Sequence, residues 1–175
     1  FDYVSVNNAG SFLFSGDTDG DTATDEFIAF DGTIALREGD TVDGVSLSST
    51  AYVRAAAIND LGQAVYAWRD GAEVEHVFAA CDASDLAGTS RLLISTGDTL
   101  DLDGDGVADA TFTDLETVSH NWDLAENGWL WLEASIDEGF GEISTILGLQ
   151  FACETPLFAD GFESGDTSGW STAVP

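Results

Sequence analysis

The sequence predicts an all-β protein with little helix, built from tandem four-stranded, propeller-like units or as a single β-sandwich. Three observations carry this prediction: 19 glycines stand against two prolines, Thr, Ser and Asp are frequent, and a short motif recurs along the chain. Closely spaced Gly, Asn and Asp residues favour tight turns between short strands. With 175 residues, 44 % of them hydrophobic, the chain is long enough to bury a core and is not expected to be disordered as a whole.

The recurring motif is Asn-x-x-Gly-x-x-x-aromatic, which occurs at residues 7–14 and 59–66. A degenerate copy at 125–132 has Ala in place of Asn and Leu in place of the aromatic residue. Each copy is typical of a strand, a turn and a second strand, because Asn and Gly tolerate the positive φ of a tight turn. The first two copies run on through further apolar segments to Gly-Asp-Thr turns at 39–41 and 97–99. We therefore expect an all-β repeat domain over residues 1–153, with units at about 4–50, 54–116 and 118–152.

Two architectures fit these units. Four-stranded units in tandem are typical of propeller blades, although three such units are fewer than the usual four to eight. An open stack of units would leave sheet edges that can pair with other chains. A β-sandwich that takes up all the strands is the competing architecture.

Residues 4–151 resemble the secreted Asn-x-x-Gly-x-x-x-Phe tandem-repeat proteins of bacteria, which are predicted surface or extracellular proteins with varied C-terminal anchors. Residues 154–175 form a polar, Gly-rich tail of different composition. Its segment Phe-x-Asp-Gly-Phe-Glu-Ser-Gly-Asp-Thr, at 158–167, resembles a tail found at the ends of exported bacterial proteins. The resemblance implies a docking or sorting role for this tail.

The charge balance excludes several classes of partner. Thirty-three acidic residues face four arginines and no lysine, which gives a net charge of −29. Such a charge repels DNA, RNA and anionic membranes. It also opposes a compact fold unless cations offset it, so we expect bound divalent metal, a saline habitat, or both.

The chain is expected to be secreted, extracellular or at the cell surface. It begins at Phe1 without the charged and apolar regions of a signal peptide, which is typical of a mature protein after cleavage. No apolar stretch approaches the length needed to span a bilayer. Cys81 and Cys153 are the only two cysteines, and an even pair in an exported chain predicts a disulfide, with two buried thiols as the alternative.

The strongest site prediction is a calcium loop at residues 101–109. Carboxylates at loop positions 1, 3, 5 and 9, with Gly at position 6, match the calcium-loop pattern. Position 7 would contribute its backbone carbonyl, and position 12 is Phe112, so the bidentate Glu of an EF-hand is missing and a helix–loop–helix is not expected. The predicted Ca²⁺ ligands are Asp101, Asp103, Asp105, Val107 and Asp109.

A second calcium candidate lies at residues 17–25. Its carboxylates again occupy positions 1, 3, 5 and 9, but position 6 is Thr22 in place of Gly, so a plain acidic turn is the alternative. The candidate ligands here are Asp17, Asp19, Asp21 and Asp25.

No catalytic group is expected, and the protein is not predicted to be an enzyme. His76 and His120 are the only histidines. Ser119 and His120 with Asp123 nearby lack a nucleophile elbow or a Gly-rich oxyanion loop. A polar role at a strand end is the simpler interpretation of each histidine.

The tryptophans allow two interpretations. Residues 129–132 alternate Trp and Leu and are therefore apolar on both faces, which predicts a central strand buried on both sides. A sugar-stacking platform that also uses Trp68 and Trp122 is the alternative. Trp170, alone in the polar tail, is a candidate anchor at an interface.

These features predict an extracellular structural protein, a self-associating surface, filament or matrix subunit stabilised by calcium. Copies would join by strand addition or by docking of a terminal segment. A calcium-dependent glycan-binding or adhesion module is the alternative function. The residues expected to mediate assembly are Phe1, Tyr3, Phe158, Phe162 and Trp170.

Overall fold

A computed structural model describes residues 3–18, 25–48, 52–115, 117 and 122–153, and the statements below concern these residues. They form three antiparallel sheets and a two-stranded hairpin. Within this part of the chain the only α-helix has four residues, and no helix is long and apolar enough to cross a membrane. The prediction of an all-β fold with little helix is confirmed. None of the described sheets closes on itself.

The first sheet contains four consecutive strands that lie in chain order. They are β1 (Tyr3–Val6), β2 (Phe12–Gly16), β3 (Phe27–Phe30) and β4 (Thr33–Arg37). The turn between β1 and β2 is closed by the Asn7 side chain, which accepts a hydrogen bond from the Ser11 amide at 3.0 Å. Gly10 supplies a φ of +87°, which other residues adopt only with strain. A small hairpin, β5 (Thr41–Val42) and β6 (Val45–Ser46), follows.

The middle sheet again has four consecutive strands, now ordered β10-β9-β8-β7. They are β7 (Tyr52–Ile58), β8 (Ala64–Arg69), β9 (Glu75–Ala80) and β10 (Ser90–Ser95). A 3-10 turn (Ala83–Asp85) and helix α1 (Leu86–Thr89) connect β9 to β10. Asp85 caps α1 by accepting from the Gly88 amide at 3.1 Å.

The third sheet is built around its longest strands. Its members are β11 (Thr99–Leu100), β12 (Ala110–Asp114), β13 (Trp122–Leu124), β14 (Trp129–Asp137) and β15 (Glu142–Gln150). β12 and β13 pair with successive parts of one edge of β14, and β15 pairs along the other edge. Strands β11 and β12 fall inside the predicted unit 54–116 but belong to this sheet. Because β13 has only three residues, it pairs with residues 130–132 of β14. This leaves room on the same edge for β12, which pairs with residues 135–137.

Two hydrophobic clusters separate the sheets. One lies between the first and middle sheets and contains Leu13, Ile28, Tyr66, Trp68 and Phe78 among others. The second lies between the middle and third sheets and contains Val65, Val77, Phe112, Leu130 and Leu132 among others. The middle sheet therefore has both faces covered, and the three sheets form a stack in chain order.

The turns at one end of the sheets hydrogen-bond to one another. The Asn7 side-chain amide donates to the Asn59 carbonyl at 3.2 Å. The Asn59 side-chain amide donates in the same way to the Ala125 carbonyl, also at 3.2 Å. The three turns matched in the sequence thus lie side by side, and the Asn of each of the first two turns binds the next turn along the chain.

The disulfide prediction is confirmed. Cys81 and Cys153 are bonded, with their Cα atoms 5.3 Å apart and a sequence separation of 72. Cys81 follows β9 of the middle sheet, and Cys153 follows β15 of the third sheet. The bond therefore ties two layers of the stack together.

Candidate calcium loop and exposed tryptophan face

The predicted calcium loop connects β11 to β12 and closes as a wide hairpin. Leu100 pairs with Ala110, and the Asp109 amide donates to the Leu100 carbonyl at 2.8 Å. The bends inside the loop rely on Gly104 and Gly106, whose φ angles are +79° and +89°. Glycine is suited to both positions because it has no Cβ to clash with the backbone.

Three of the predicted ligands come together in this loop. Asp101, Asp103 and Asp109 each offer a carboxylate oxygen, and these oxygens all lie within 4.8 Å of one another. Asp105 is not part of this group, and its carboxylate accepts from the Val107 amide at 2.8 Å. The structure thus brings three of the four predicted carboxylates together, on the exposed side of the loop. The carbonyl of Val107 stays a predicted ligand.

Asp101 is held by the backbone of the loop. Its two carboxylate oxygens accept from the Gly104 amide at 2.7 Å and the Gly106 amide at 2.8 Å. These hydrogen bonds, with Gly106 making the larger contribution, hold the pKa of Asp101 below its usual value because they favour the charged carboxylate. Asp101 is therefore ionised across the neutral range, as a calcium ligand must be.

Further acidic side chains lie beside the loop. An open groove is lined on one side by Asp109 and Thr111 and on the other by Asp137 and Glu138. The register that pairs Thr111 with Asp137 brings the end of β14 to this point. The sequence spacing gives no sign of this proximity, because the two segments are far apart along the chain.

The second calcium candidate is only partly described. Asp17 and Asp25 belong to the described residues, and the amide of neighbouring Thr18 donates to the Asp25 carbonyl at 3.0 Å. Asp19 and Asp21 lie outside the described residues, so calcium at 17–25 stays a prediction.

Asp25 has an unexpected neighbour in Glu38. This side chain is buried, with 3 % of its surface exposed. Burial raises the pKa of Glu38 to about 7, and a hydrogen bond with Asp25 and the charge of Asp25 act in the same direction. The sequence contains no signal for this pair, since Glu38 is adjacent to a turn and carries no motif.

The prediction that residues 129–132 are buried on both faces is wrong. Leu130 and Leu132 are buried against the middle sheet, but 44 % of Trp131 is exposed and Trp129 is half-buried. The two indole rings stack with centroids 5.3 Å apart and planes 15° from parallel. Both lie on the face of the third sheet that no other described sheet covers. Trp68, by contrast, is fully buried.

The tryptophan pair and the calcium loop lie at opposite ends of the third sheet. Trp131 is six residues from Asp137 along β14, and Asp137 pairs beside the loop. At roughly 3.3 Å per residue this is about 20 Å. A single small ligand therefore does not reach both features.

The described histidine has a polar, strand-bound environment. His76 Nδ1 lies 2.8 Å from Ser95 Oγ, and Nε2 lies 3.5 Å from Asp70 Oδ2. These are the residue types of a hydrolytic triad, but Ser95 is 9 % exposed. Its amide donates to Asp98, and the Thr96 amide donates to the Glu75 carbonyl. Neither amide is free to stabilise an oxyanion. His120 lies outside the described residues.

The predicted assembly residues fall mostly outside the described part of the chain. Tyr3 begins β1 and is half-buried. Phe1, Phe158, Phe162 and Trp170 are not among the described residues, and their role stays a prediction.

No protein-family profile matches the chain. No curated protein and no solved structure matches it either.

Proposed function

We propose that the protein is an extracellular structural protein, a subunit that associates with copies of itself and is stabilised by calcium. The observation that carries this proposal is the stack of three sheets, in which the middle sheet is covered on both faces and each terminal sheet exposes large apolar side chains on its outer face. Six large apolar residues are exposed there, namely Val4, Val6, Phe12, Ile34, Trp131 and Ile146. Apolar faces of this kind favour association.

Calcium supports the subunit through the 101–109 loop. Three carboxylate oxygens within 4.8 Å of one another repel one another, and calcium prefers oxygen ligands of this type. A bound cation also reduces the net charge of −29, which otherwise opposes both folding and contact between copies. Export of the subunit is consistent with its disulfide.

The proposal is tested by measuring mass and calcium affinity together. Sedimentation velocity over a range of protein concentrations, in calcium and in EGTA, should show oligomers that weaken when calcium is removed. Isothermal titration should show calcium binding that Asp103→Asn weakens, while Asp123→Asn, which removes the same charge near the far end of the sheet, leaves it unchanged. Saturating calcium at about 100 times Kd should stabilise the fold by about 2.7 kcal/mol.

Two outcomes contradict the proposal. A chain that stays monomeric in calcium at every concentration removes the structural role. Calcium affinities that are equal in the wild type and Asp103→Asn remove the loop as the calcium site.

A glycan-binding module is the second candidate, and the stacked pair Trp129 and Trp131 favours it. Exposed aromatic rings provide flat apolar surfaces for sugar rings, and the neighbouring Asp123 and Glu133 can accept hydrogen bonds from hydroxyls. The separation of about 20 Å from the calcium loop means that such binding would not need calcium. Glycan-array binding that survives EGTA and is lost in Trp131→Ala would support this candidate over self-association.

A further inference from the structure

We propose that a second copy of the chain docks head to tail, with the outer face of its first sheet seated on the outer face of the third sheet. This inference rests on the proposed function and specifies the partner and the two surfaces. The three sheets of one chain already stack in this order.

The front face is the side of the first sheet turned away from the middle sheet, and we define it by Val4, Val6, Phe12 and Ile34. Their exposed fractions are 68, 62, 36 and 37 %. Val6 lies directly opposite Phe12 in the β1–β2 pair. Between Val4 and Val6, Ser5 points the other way, since its hydroxyl accepts from the Ile58 amide of the middle sheet. The front face is therefore apolar and faces away from the core, and its exposed side chains surround Phe27 and Ala29 of β3, which are 7 % and 0 % exposed on the same side.

The back face is the side of the third sheet turned away from the middle sheet, and we define it by Trp129, Trp131 and Ile146. Ile146 is 75 % exposed and Trp131 is 44 % exposed. Trp131 lies opposite Gly148, and a Cβ at Gly148 would come within 2.6 Å of the indole ring. Glycine thus lets the indole lie flat against the sheet, which leaves a shallow apolar patch bordered by Asp123 and Glu133.

The matched turn motifs allow the front face of the first sheet to be compared with the corresponding faces of the middle and third sheets. Phe12, Ala64 and Leu130 occupy the same position, five residues after the first residue of each motif. Ala64 is fully buried in the cluster shared with the first sheet, and Leu130 is fully buried in the cluster shared with the middle sheet. This position therefore packs against the preceding sheet. At Phe12 no described sheet precedes it.

The next position in the motif gives the complementary result for the back face. Leu13, Val65 and Trp131 are equivalent. Leu13 and Val65 are 0 % exposed and pack toward the following sheet. Trp131 stands where the chain twice buries an aliphatic residue under the next sheet. The front face of a second copy is the surface that continues this established interface.

The hydrogen bonds between the turns also run from each sheet to the next one along the stack. Asn7 binds the turn of the middle sheet, and Asn59 binds the turn of the third sheet. Ala125 has only a methyl group at the equivalent position, so this hydrogen bond is missing at the next junction. Contact between copies is therefore weaker than packing within the chain, and the substitution Ala125→Asn supplies the missing donor.

The front face includes one arginine, and the back face includes acidic residues. Arg37 lies opposite Phe27 in the β3–β4 pair, and the Phe27 ring contacts Phe14 on the front side of the first sheet. On the back, Asp123 lies opposite Trp131, and Glu133 follows on the same side of β14. Long-range repulsion between two chains of net charge −29 opposes their contact. Salt or calcium should weaken this repulsion and strengthen the association.

Docking of two different faces is heterologous. Each copy then keeps one free front face and one free back face, so growth continues as a filament or closes as a ring. An isologous contact, back to back or front to front, would instead stop at a dimer.

The test uses the full chain with one substitution on each face. Val6→Asp places a charge on the front face, and Ile146→Asp places one on the back face. Each should weaken association in sedimentation velocity by at least about tenfold, as expected for a substitution in the centre of an interface. Leu61→Asp is the matched control, because Leu61 is 67 % exposed in a turn outside both faces. Circular dichroism and thermal unfolding check that all three variants fold.

Mixing the variants separates the two geometries. Val6→Asp keeps an intact back face and Ile146→Asp keeps an intact front face, so a mixture should form 1:1 pairs and nothing larger. Ala125→Asn should tighten association by roughly threefold to tenfold, the effect of one added hydrogen bond.

Several results would overturn the docking geometry. Association that survives both face variants leaves self-association standing but removes these surfaces. A back-face variant that blocks association while the front-face variant does not would indicate a back-to-back dimer. If removal of residues 154–175 increases association and Ile146→Asp abolishes the increase, the tail and not a second copy occupies the back face of the intact chain. A wild-type chain that is monomeric throughout removes this proposal together with the proposed function.

Discussion

Strands β8 and β14 have nearly the same apolar sequence pattern but differ in how far their side chains are buried. Residues 64–68 of β8 are all apolar and all 0 % exposed. Residues 129–132 of β14 are equally apolar, yet the tryptophans of that segment are half-buried or exposed while Leu130 and Leu132 are buried. The strands differ in what lies on their two sides, since β8 sits in the middle layer and β14 in a terminal layer.

This difference shows that an uninterrupted apolar sequence indicates a strand with two apolar faces. It does not indicate that another sheet packs on each of those faces. Burial of a face depends on the position of the sheet in the stack. The middle sheet has a neighbouring sheet on each side, whereas the third sheet has one neighbouring sheet among the described residues. The residue choice on the side toward the next layer is consistent with this, because β8 has Val65 and Ala67 there, whereas β14 has the indoles of Trp129 and Trp131 on its outer side. The contrast can be tested at four sites.

The largest expected effect comes from Trp68→Ala. Trp68 is fully buried between the first and middle sheets, so truncation leaves a large cavity and should cost about 3–5 kcal/mol of unfolding free energy. Urea unfolding followed by circular dichroism gives the value. A loss below about 1 kcal/mol would contradict the view that the first sheet covers β8.

The next largest effect should come from removing the bond between the two layers. Replacing Cys81 and Cys153 together by Ser opens a covalent loop with a sequence separation of 72, which should lower the unfolding free energy by about 2–4 kcal/mol. The control is the wild type in reducing buffer, which should unfold at the same urea concentration as the double variant. Equal stability of the oxidised wild type and the variant would contradict the expectation.

A smaller effect, dependent on pH, is expected at Glu38 in the first sheet. Its pKa is raised from 4.5 to about 7 in the folded chain, so the folded state holds the proton more tightly than the unfolded state. Unfolding free energy should therefore fall as pH rises from about 4.5 to about 7 and then level off. Glu38→Gln removes this dependence and should stabilise the protein at pH 8 by on the order of 1–3 kcal/mol, with little effect at pH 4.

The exposed Glu138 provides the control for that measurement. Glu138→Gln should leave the pH dependence of stability unchanged. Parallel stability curves for Glu38→Gln and the wild type between pH 5 and pH 8 would show that Glu38 is not protonated in the folded chain.

The smallest effect is expected for Trp131→Ala measured on the monomer at low concentration. Because 44 % of Trp131 is exposed, truncation should cost about 1 kcal/mol or less, well below the cost at Trp68. The same urea experiment applies to both variants. Equal costs at the two sites would mean that a further part of the chain covers Trp131 in the monomer.

Much of the fold follows from local chemistry that the sequence contains. The Asn and Gly residues of the turns at 7–10 and 59–62 mark the strands on either side, because the Asn side chains accept hydrogen bonds from backbone amides of the turns and the glycines adopt positive φ. The disulfide follows from a count of two cysteines. The convergence of Asp101, Asp103 and Asp109 follows from their spacing around glycines.

The rest depends on contacts between distant segments, which spacing does not encode. The pairing of β12 with β14 across the predicted unit boundary depends on the short length of β13. The position of Asp105 outside the carboxylate group is a local exception, since its side chain accepts a hydrogen bond from the Val107 amide two residues later. The exposure of Trp131 depends on the number of sheets in the stack, and the pair of Glu38 and Asp25 depends on the packing of the first sheet.

The disulfide also determines how the molecule would respond to tension. A force applied between the first sheet and the residues beyond Cys153 passes directly from Cys81 to Cys153, so β10 to β15 carry none of it. The shielded segment, with its sequence separation of 72, corresponds to about 240 Å of extended chain. Single-molecule stretching should show this length only after reduction. In oxidised form the third sheet, with its calcium loop and tryptophan face, stays folded while the first sheet and the early strands of the middle sheet are drawn out.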